Sequence, residues 1–461
     1  MRSIGVRAGS VFGGGVGGVA TGFGAACKAS VNAWGDLYFN GKERLRWFVA
    51  ADDRWYRPSR ETTVRQRALS NVPVIETRIK VPGGDAVHRI YGVADFGGVV
   101  VVEIYNDSSL PFAVAFDRSD IAMMREPSPA GVQGIDLPGQ SVVFPVGHHA
   151  SLRVAVAIDG DSRRISARQV EKLPSFEQVE RGWLSALQVS SRVDVPESSW
   201  GQALTIARCE LLLSAAADGD MTKPDFDPVD FLLETAERSR LGENFEVATD
   251  VSPVAAAGEQ IVRDCAKRKQ LTWVEDRALL SAAMFLHRVG ERRAVQDLNR
   301  AWSKLVQVVA PGADIGGSPG ASRIEFGQIK KMSSVRQIAW VESQLVANNL
   351  DRLVNVCPRG IDQAWVGANF ECHNLMATPE HSVSFAARWH GDKPALLWEV
   401  HGPSPVKVVA TAMVREPPTT APACRRAIAR RTKQNARVWP SNCGTRSWPR
   451  PTLDRCHADK H

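Results

Sequence analysis

The sequence lacks a run of about 18 consecutive apolar residues, the length that a transmembrane helix needs, so we predict no membrane partner. It has only eight cysteines in 461 residues, and no two of them form a Cys-x-x-Cys pair. The low number of cysteines argues against a disulfide scaffold, and the lack of a Cys-x-x-Cys pair argues against a zinc site. Both features are typical of a protein in a reducing compartment. The glycine-rich stretch 312–320 lacks the Lys-Ser/Thr of a phosphate-binding loop. We therefore predict a cytoplasmic protein with no metal ion and no cofactor.

The excess positive charge lies at one end of the chain. The sequence has 57 Lys and Arg against 50 Asp and Glu, a formal net charge of +7. Residues 411–461 hold eleven of the basic residues and three of the acidic ones, so the rest is close to neutral. This tail has neither helix nor strand periodicity. Three interpretations stay open: an out-of-frame end of an arginine-rich gene product, an inert disordered terminus, or a basic arm for nucleic acid, the partner that we least expect.

Short apolar segments predict β-strands in the first third of the chain. The expected strands are residues 45–50, 73–81, 99–105, 112–116, 141–146 and 151–158. A turn at residues 106–109 is expected to join the third and fourth of these strands into a hairpin. Because no helical period interrupts them, the strands favour an antiparallel β-sandwich over a parallel sheet.

From about residue 162 the apolar period becomes that of helices. Amphipathic segments predict helices at residues 176–187, 198–217, 228–241, 254–269, 276–289, 291–309 and 334–353. Pro228 near the start of one segment and Gly242 just past its end are the usual helix boundaries. The short connections between successive segments predict αα-hairpins.

The last patterned segment predicts a β-hairpin. Apolar residues alternate up to Trp389, residues 390–394 form a turn, and Trp398 lies on the return strand. Both tryptophans are expected to face the same core, and the alternative is an exposed aromatic platform for sugar rings. The predicted layout is multi-domain β + α: a flexible glycine-rich leader (1–31), a β-sandwich (32–160), a linker helix (161–197), an αα-hairpin domain (198–380), the β-hairpin (381–409) and a disordered basic tail (410–461).

Two segments carry a resemblance to a known family. In RGWLSALQVSSRVDVPESSWGQALTIARCELLL, residues 181–213, a tryptophan-containing helix and a Val-Pro step precede the first long helix. This segment and the closing WVGANFECHNLMATPEHSVSFAARWHGDKPALLWEV resemble the six-hairpin (α/α)6 glycosidases of glucoamylase-like architecture, including uncharacterised actinobacterial members. The resemblance implies an N-terminal antiparallel β-sandwich, then an αα-hairpin toroid that a C-terminal β-hairpin closes. The predicted helices are too few for six hairpins, so we expect an incomplete toroid.

The resemblance also implies a carbohydrate-active protein, and glycoside hydrolysis needs two carboxylates flanking the scissile bond. The candidate catalytic carboxylates are Asp218, Asp220, Glu275, Asp276 and Glu371, and the candidate substrate-binding residues are Trp273 and Trp365. A structural role is the alternative for the carboxylates at helix starts, because acidic residues there commonly cap the helix.

We therefore predict a protein that acts on an oligosaccharide or glycan, and a glycoside hydrolase if a carboxylate pair is complete. The alternative is a non-catalytic sandwich and helical-repeat protein that binds a glycan or another protein. His148 and His149 are not expected to hold a metal ion together, since neighbouring strand residues point to opposite faces of a sheet.

Overall fold

Antiparallel strands make up the N-terminal part of the structure, as predicted. The computed structural model describes residues 13–14, 18–22, 24, 28–39, 42–129, 140–160, 162–242, 251–311, 331–349, 353–391 and 393–410. The N-terminal strands are β1 (Gly13–Gly14), β2 (Gly18–Gly22), β3 (Lys28–Val31), β4 (Leu37–Phe39), β5 (Lys42–Leu45), β6 (Trp47–Ala51), β7 (Arg54–Tyr56), β8 (Arg65–Ala68), β9 (Val74–Val81), β10 (Gly84–Val93), β11 (Val99–Ser108), β12 (Phe112–Phe116), β13 (Ala122–Met123), β14 (Val142–Val146) and β15 (Ser151–Ala157). They form antiparallel sheets in the orders β1-β2-β3-β4-β5, β13-β15-β11-β10-β9-β8 and β14-β12-β6-β7.

Helices and short strands follow. The helices of the described ranges are α1 (Ala167–Lys172), α2 (Phe176–Gln188), α3 (Ser198–Leu212), α4 (Pro228–Arg240), α5 (Ser252–Arg268), α6 (Trp273–Arg288), α7 (Arg292–Val308) and α8 (Ser334–Leu345). The later strands are β16 (Arg192–Asp194), β17 (Gln270–Leu271), β18 (Ala310–Pro311), β19 (Val346–Asn349), β20 (Leu353–Val356), β21 (Phe370–Thr378), β22 (His381–His390), β23 (Lys393–His401) and β24 (Lys407–Val409). The chain is thus mixed β and α, with an antiparallel N-terminal region, and the toroid stays a prediction.

Strand β11 is buried on both faces, which explains its continuous run of valines. On one face, Val102 shares a hydrophobic core with Trp47 of β6, so two sheets pack against each other there. On the other face, Val101 shares a core with Trp183 of α2 and Cys209 of α3. The six-stranded sheet therefore attaches the β region to the helices.

Local sequence determines where several helices begin. Helices α2 and α6 start with capping boxes, formed by Ser175 with Gln178 and by Thr272 with Glu275. In each box the side chains bond to free backbone N–H groups of the first turn. Helix α4 starts at Pro228, whose missing N–H costs nothing in that position.

The C-terminal strands form two sheets that pack against α3 and α8. Their orders are β16-β21-β22-β23 and β19-β20-β24. Leu204 of α3, Val341 of α8, Val354 of β20 and Phe385 of β22 lie in one core. The predicted C-terminal hairpin is confirmed as β22 and β23, with Phe385 opposite Trp398.

The hairpin predicted around residues 106–109 is wrong. Strand β11 continues to Ser108, and β12 pairs with β6 and β14 in a different sheet. The side-chain amide of Asn106 donates hydrogen bonds to the carbonyl oxygens of Leu110 (2.9 Å) and Val146 (3.1 Å). These bonds hold the connection in which the chain passes from the sheet of β11 to the sheet of β12. Residues that are typical of a hairpin turn therefore lie here at a change of sheet.

Helix α8 ends earlier than the predicted residue 353. It ends at Leu345, and β19 follows directly. Strand β19 pairs with β20, with Val346 opposite Val356, and the backbone N–H of Cys357 donates to the carbonyl of Leu345 at 2.8 Å. Pairing with β20, the next strand along the chain, overrides the helical pattern. Strands β19, β20 and β21 thus lie within 198–380, where the sequence predicts αα-hairpins.

The described part of residues 1–31, the predicted glycine-rich leader, includes β1, β2 and β3. Thr21 of β2 is buried, and its hydroxyl donates to the carbonyl of Pro73 at 2.7 Å. Strand β10 approaches closely at Gly92, where an added Cβ would lie 2.5 Å from the Cα of Gly22. These glycines permit tight packing of two backbones.

None of the helices in the described ranges combines the length and apolar character that a membrane crossing requires. The glycine-rich stretch 312–320 and the basic tail after Ala410 lie outside the described residues. The predictions made for those two segments are therefore untested.

We expect Gly92→Ala to destabilise the protein by roughly 1–3 kcal/mol, because its Cβ would push β2 away from β10. Gly182→Ala is the matched control, since no atom lies within 4 Å of an added Cβ at this position inside α2. It should stabilise the helix by about 0.5–1 kcal/mol. Urea unfolding followed by circular dichroism measures both changes, and equal effects would contradict the packing argument.

Candidate functional site

The first predicted carboxylates lie in an exposed loop before α4. Asp218 forms an ion pair with Lys223, and the carboxylate of Asp220 accepts hydrogen bonds from the backbone N–H (3.0 Å) and the hydroxyl (2.6 Å) of Thr222. The hydrogen bond from Lys223 lowers the pKa of Asp218, and the one from the Thr222 hydroxyl lowers the pKa of Asp220. Both carboxylates are ionised and bonded within their own loop.

Glu275 and Trp273 lie in the first turn of α6. The carboxylate of Glu275 accepts hydrogen bonds from the backbone N–H (2.9 Å) and hydroxyl (2.7 Å) of Thr272, and Arg268 lies at 2.5 Å. Burial alone would raise the pKa of Glu275, but these bonds outweigh it and hold the pKa below its usual value. Trp273 is half-buried between two hydrophobic cores. In the structure, Glu275 therefore caps α6.

Asp276 differs from the other four candidate carboxylates, because its pKa is raised rather than lowered. Burial raises the pKa of its carboxyl to about 6, although the indole N–H of Trp302 donates to its Oδ1 at 3.0 Å and favours the ionised form. A carboxyl group with a raised pKa can hold a proton near neutral pH, as an acid catalyst in glycoside hydrolysis must.

Glu371 and Trp365 lie near each other in sequence but in different surroundings. Glu371 of β21 pairs with Arg388 (2.7 Å) and His373 (3.3 Å), and Arg388 in particular lowers the pKa of Glu371. Trp365 is only 7% exposed and makes edge-to-face contacts with Trp200 and with the neighbouring β21. Trp365 has the environment of a core residue.

The predicted site residues are thus distributed over a surface loop, the start of α6, the helical turn at residues 363–365 and β21. None of the seven lines the larger cavity described below. Their catalytic and substrate-binding roles stay predictions.

His148 and His149 do not point to opposite faces of a strand, so that expectation is wrong. They lie in the turn between β14 and β15, and their ring centroids are 3.7 Å apart. His148 Nδ1 lies 2.7 Å from the carbonyl oxygen of Ser108, and His149 Nδ1 lies 3.2 Å from the hydroxyl of Tyr105. Across the described ranges, no group of three or more His, Cys, Asp or Glu side chains is arranged to hold a metal ion.

A buried group of charges, which the sequence did not indicate, joins four helices. This arginine–glutamate cluster consists of Arg208 (α3), Glu237 and Arg240 (α4), Arg277 (α6) and Glu342 (α8). Glu342 pairs with Arg240 at 2.9 Å and with Arg208 at 3.4 Å, and it also pairs with Arg277. Glu237 pairs with Arg208 at 2.7 Å and with Arg240 at 2.8 Å. All five side chains are between 1% and 9% exposed.

Glu342 is ionised inside this cluster. Burial alone would raise its pKa, but Arg240 and Arg277 outweigh burial and lower the pKa to about 2. Burial lowers the pKa of the Arg277 guanidinium, which donates to the carbonyl oxygen of Met376 at 3.3 Å. With three arginines and two glutamates, the cluster holds a surplus of one positive charge.

Two cavities adjoin the cluster. The larger, which we call the linker cavity, has a volume of about 320 Å³ and lies between α2, β16 and α3. Arg208 lines it as a buried charge, whereas Arg192 and Asp194 of its lining are exposed. The smaller cavity, about 10 Å³, is bounded by Arg240 and Arg277 and has room for about one water molecule.

The C-terminal sheet exposes one tryptophan. Trp398 lies on the same face of the hairpin as Trp389, as predicted, but it is 48% exposed and does not reach the core. The reason is that β23 is the edge strand of its sheet, so no strand covers the outer side of Trp398 among the described residues. Leu397, on the opposite face, is 55% exposed.

The sequence matches no protein-family model, and no curated protein is similar enough to count as a relative.

We expect Glu342→Gln to destabilise the protein by roughly 3–5 kcal/mol, because it leaves buried arginines without their shared anion. Glu259→Gln on α5 is the control, since its pair with Arg263 is exposed and contributes little. Urea unfolding measures both. A loss no larger than that of the control would contradict the structural importance of the cluster.

Asp276→Asn should stabilise the protein more as the pH rises. The raised pKa means that the folded state disfavours ionised Asp276. The stability that the protonated carboxyl contributes is therefore complete below about pH 4 and is lost as the pH rises through 6. The shift from 3.8 to about 6 corresponds to roughly 3 kcal/mol above pH 7. Unfolding measured from pH 4.5 to about 8 tests this, with exposed Asp264→Asn as the control. A difference that does not change with pH would refute the argument.

Proposed function

We propose that this chain is a carbohydrate-active protein that binds a glycan without hydrolysing it, through the exposed edge strand β23. The observation that carries the proposal is the exposure of Trp398, which is 48% open to solvent. An indole ring presents a large apolar face, and the C–H groups on one face of a pyranose ring pack well against such a π surface.

The surroundings of Trp398 fit a sugar ring better than a protein. The flanking Leu396 and Val400 on the same face are half-buried, so Trp398 is the exposed large apolar side chain on that face of β23. A stable protein interface buries about 1,600 Å², far more than this strip offers. The outer backbone groups of β23 have no strand partner in the described part of the chain, and they can bond to sugar hydroxyls.

The arrangement of the carboxylates supports binding over hydrolysis. Asp218, Asp220, Glu275 and Glu371 are bonded to nearby cations, hydroxyls or backbone N–H groups, and each has a lowered pKa. Such carboxylates are poorly suited to donate a proton, and they lie on different elements. The resemblance to six-hairpin glycosidases supports carbohydrate as the ligand class.

We expect Trp398→Ala to weaken oligosaccharide binding at least about tenfold, about 1.4 kcal/mol, because the stacking surface is removed. Leu397→Ala is the matched control: it lies on the same strand, points to the other face and is 55% exposed. Isothermal titration calorimetry with short α- and β-linked oligosaccharides measures both. Equal losses in the two variants, or no binding by the wild type, would show that the proposal is wrong.

Glycoside hydrolysis is the second candidate, and the raised pKa of Asp276 favours it. The same oligosaccharides, incubated with the protein, distinguish the two functions. Intact sugars are expected for a binding protein. Release of reducing ends that Asp276→Asn abolishes would instead support a hydrolase with Asp276 as the acid.

A further inference from the structure

The linker cavity has the size and lining of a small-molecule site. Its volume of about 320 Å³ lies at the lower end of the range for ligand pockets. Helix α3 presents Ser198 and Gln202 to it, and Gln188 of α2 also lines it. Leu184 and Leu187 of α2 supply an apolar wall. The cavity therefore combines hydrogen-bonding groups with apolar surface.

The charge beside the cavity is unbalanced. The arginine–glutamate cluster has one positive charge in excess, and its Arg208 lines the cavity while only 3% exposed. Asp194 is the one acid among the described lining residues, but it is exposed and lies 3.6 Å from its own partner Arg192. Arg208 itself pairs with Glu237 and Glu342, but the buried cluster as a whole keeps one uncompensated positive charge, so an anion in the cavity would be stabilised.

Arg208 retains a donor for such an anion. Its Nε donates to Glu237 at 2.7 Å, and its Nη2 donates to the hydroxyls of Ser191 (2.6 Å) and Ser190 (3.3 Å) and to Glu342 (3.4 Å). Its Nη1 bonds to the carbonyl oxygen of Ser191 at 2.6 Å, which uses one of the two hydrogens on that nitrogen. Among the described residues no second acceptor bonds this nitrogen, so its other hydrogen can serve a ligand.

We propose that the linker cavity binds a small hydroxylated carboxylate, whose anionic group pairs with Arg208 and whose hydroxyl groups bond to Gln202 and Ser198. A carboxylate carries the single negative charge that the cluster lacks, whereas a phosphate dianion would exceed it. The amide and hydroxyl groups of the wall match hydroxyl groups on the ligand, and the leucines cover its carbon chain. This site is separate from the glycan surface at Trp398.

Calorimetric titration and thermal unfolding at constant ionic strength test the proposal. The probes are gluconate and glucuronate, with glucose as the neutral match and chloride and sulfate as simple anions. We expect one or both hydroxy-carboxylates to raise Tm and to bind at least about tenfold more tightly than glucose. Chloride and sulfate should leave Tm unchanged.

Two tryptophan substitutions locate the binding. Gln202→Trp places a large ring at the exposed wall of the cavity and should abolish carboxylate binding while the protein stays folded. Gln307→Trp is the matched control on an exposed position of α7 and should bind as the wild type.

Two further variants complete the test. One tests whether the planar donors of Arg208 are needed in addition to its charge, and the other tests whether this site is independent of the proposed glycan surface. Arg208→Lys keeps the charge but loses the planar donors, so the preference for gluconate over glucose should fall. Trp398→Ala should bind the carboxylates normally. The proposal is overturned if Gln202→Trp binds as the wild type does, if glucose equals both hydroxy-carboxylates, or if sulfate or chloride raises Tm as much as they do.

Discussion

The carboxylate of Glu342 lies among three guanidinium groups with almost no contact with solvent, and four helices meet there. Arg208, Arg240 and Arg277 each reach it from a different helix, and Glu237 completes the group from α4. Ionised groups are stable at such depth only when every one keeps its partners at bonding distance. The cluster therefore restricts the relative positions of α3, α4, α6 and α8 more tightly than apolar packing would.

The same arginines extend this constraint to the strands. Arg240 donates to the carbonyl oxygens of Ser190 (3.3 Å) and Asn374 (3.2 Å), and Arg277 donates to that of Met376. The amide of Asn374 in turn donates to Ser190 at 2.7 Å. The segment before β16 and the middle of β21 are thus attached to the helical cluster. Since β16 also forms a wall of the linker cavity, the shape of that cavity depends on the buried charges.

The best functional candidates in this chain are groups that are not already engaged in local hydrogen bonds or ion pairs. Most of the acidic side chains that attract attention in the sequence close turns, cap helices or pair with arginines. Three groups are different. The indole of Trp398 is exposed, one hydrogen on Nη1 of Arg208 has no acceptor among the described residues, and burial raises the pKa of Asp276. They lie on separate parts of the structure, so the glycan surface and the carboxylate site can be tested independently.

The short-range patterns were sufficient for much of the fold. Alternating apolar residues predicted the β22–β23 hairpin, and the periodic stripes predicted most of the helices. The alternative role of Glu275 as a capping residue was also visible, since Thr272 precedes it by three residues. These features depend on neighbours within a few positions, and so the amino-acid order alone contains them.

Long-range contacts decided the rest. The crossing at Asn106 depends on β14, and the sheet that replaces the end of α8 is completed by β24, at residues 407–409. The cluster was invisible because charged residues in an amphipathic helix normally indicate its solvent side. Arg208 and Glu342 are 134 positions apart, and only the folded chain brings them together. A charged side chain can be buried when a partner far away in the sequence compensates the cost of burial. No local sequence pattern indicates where that partner lies.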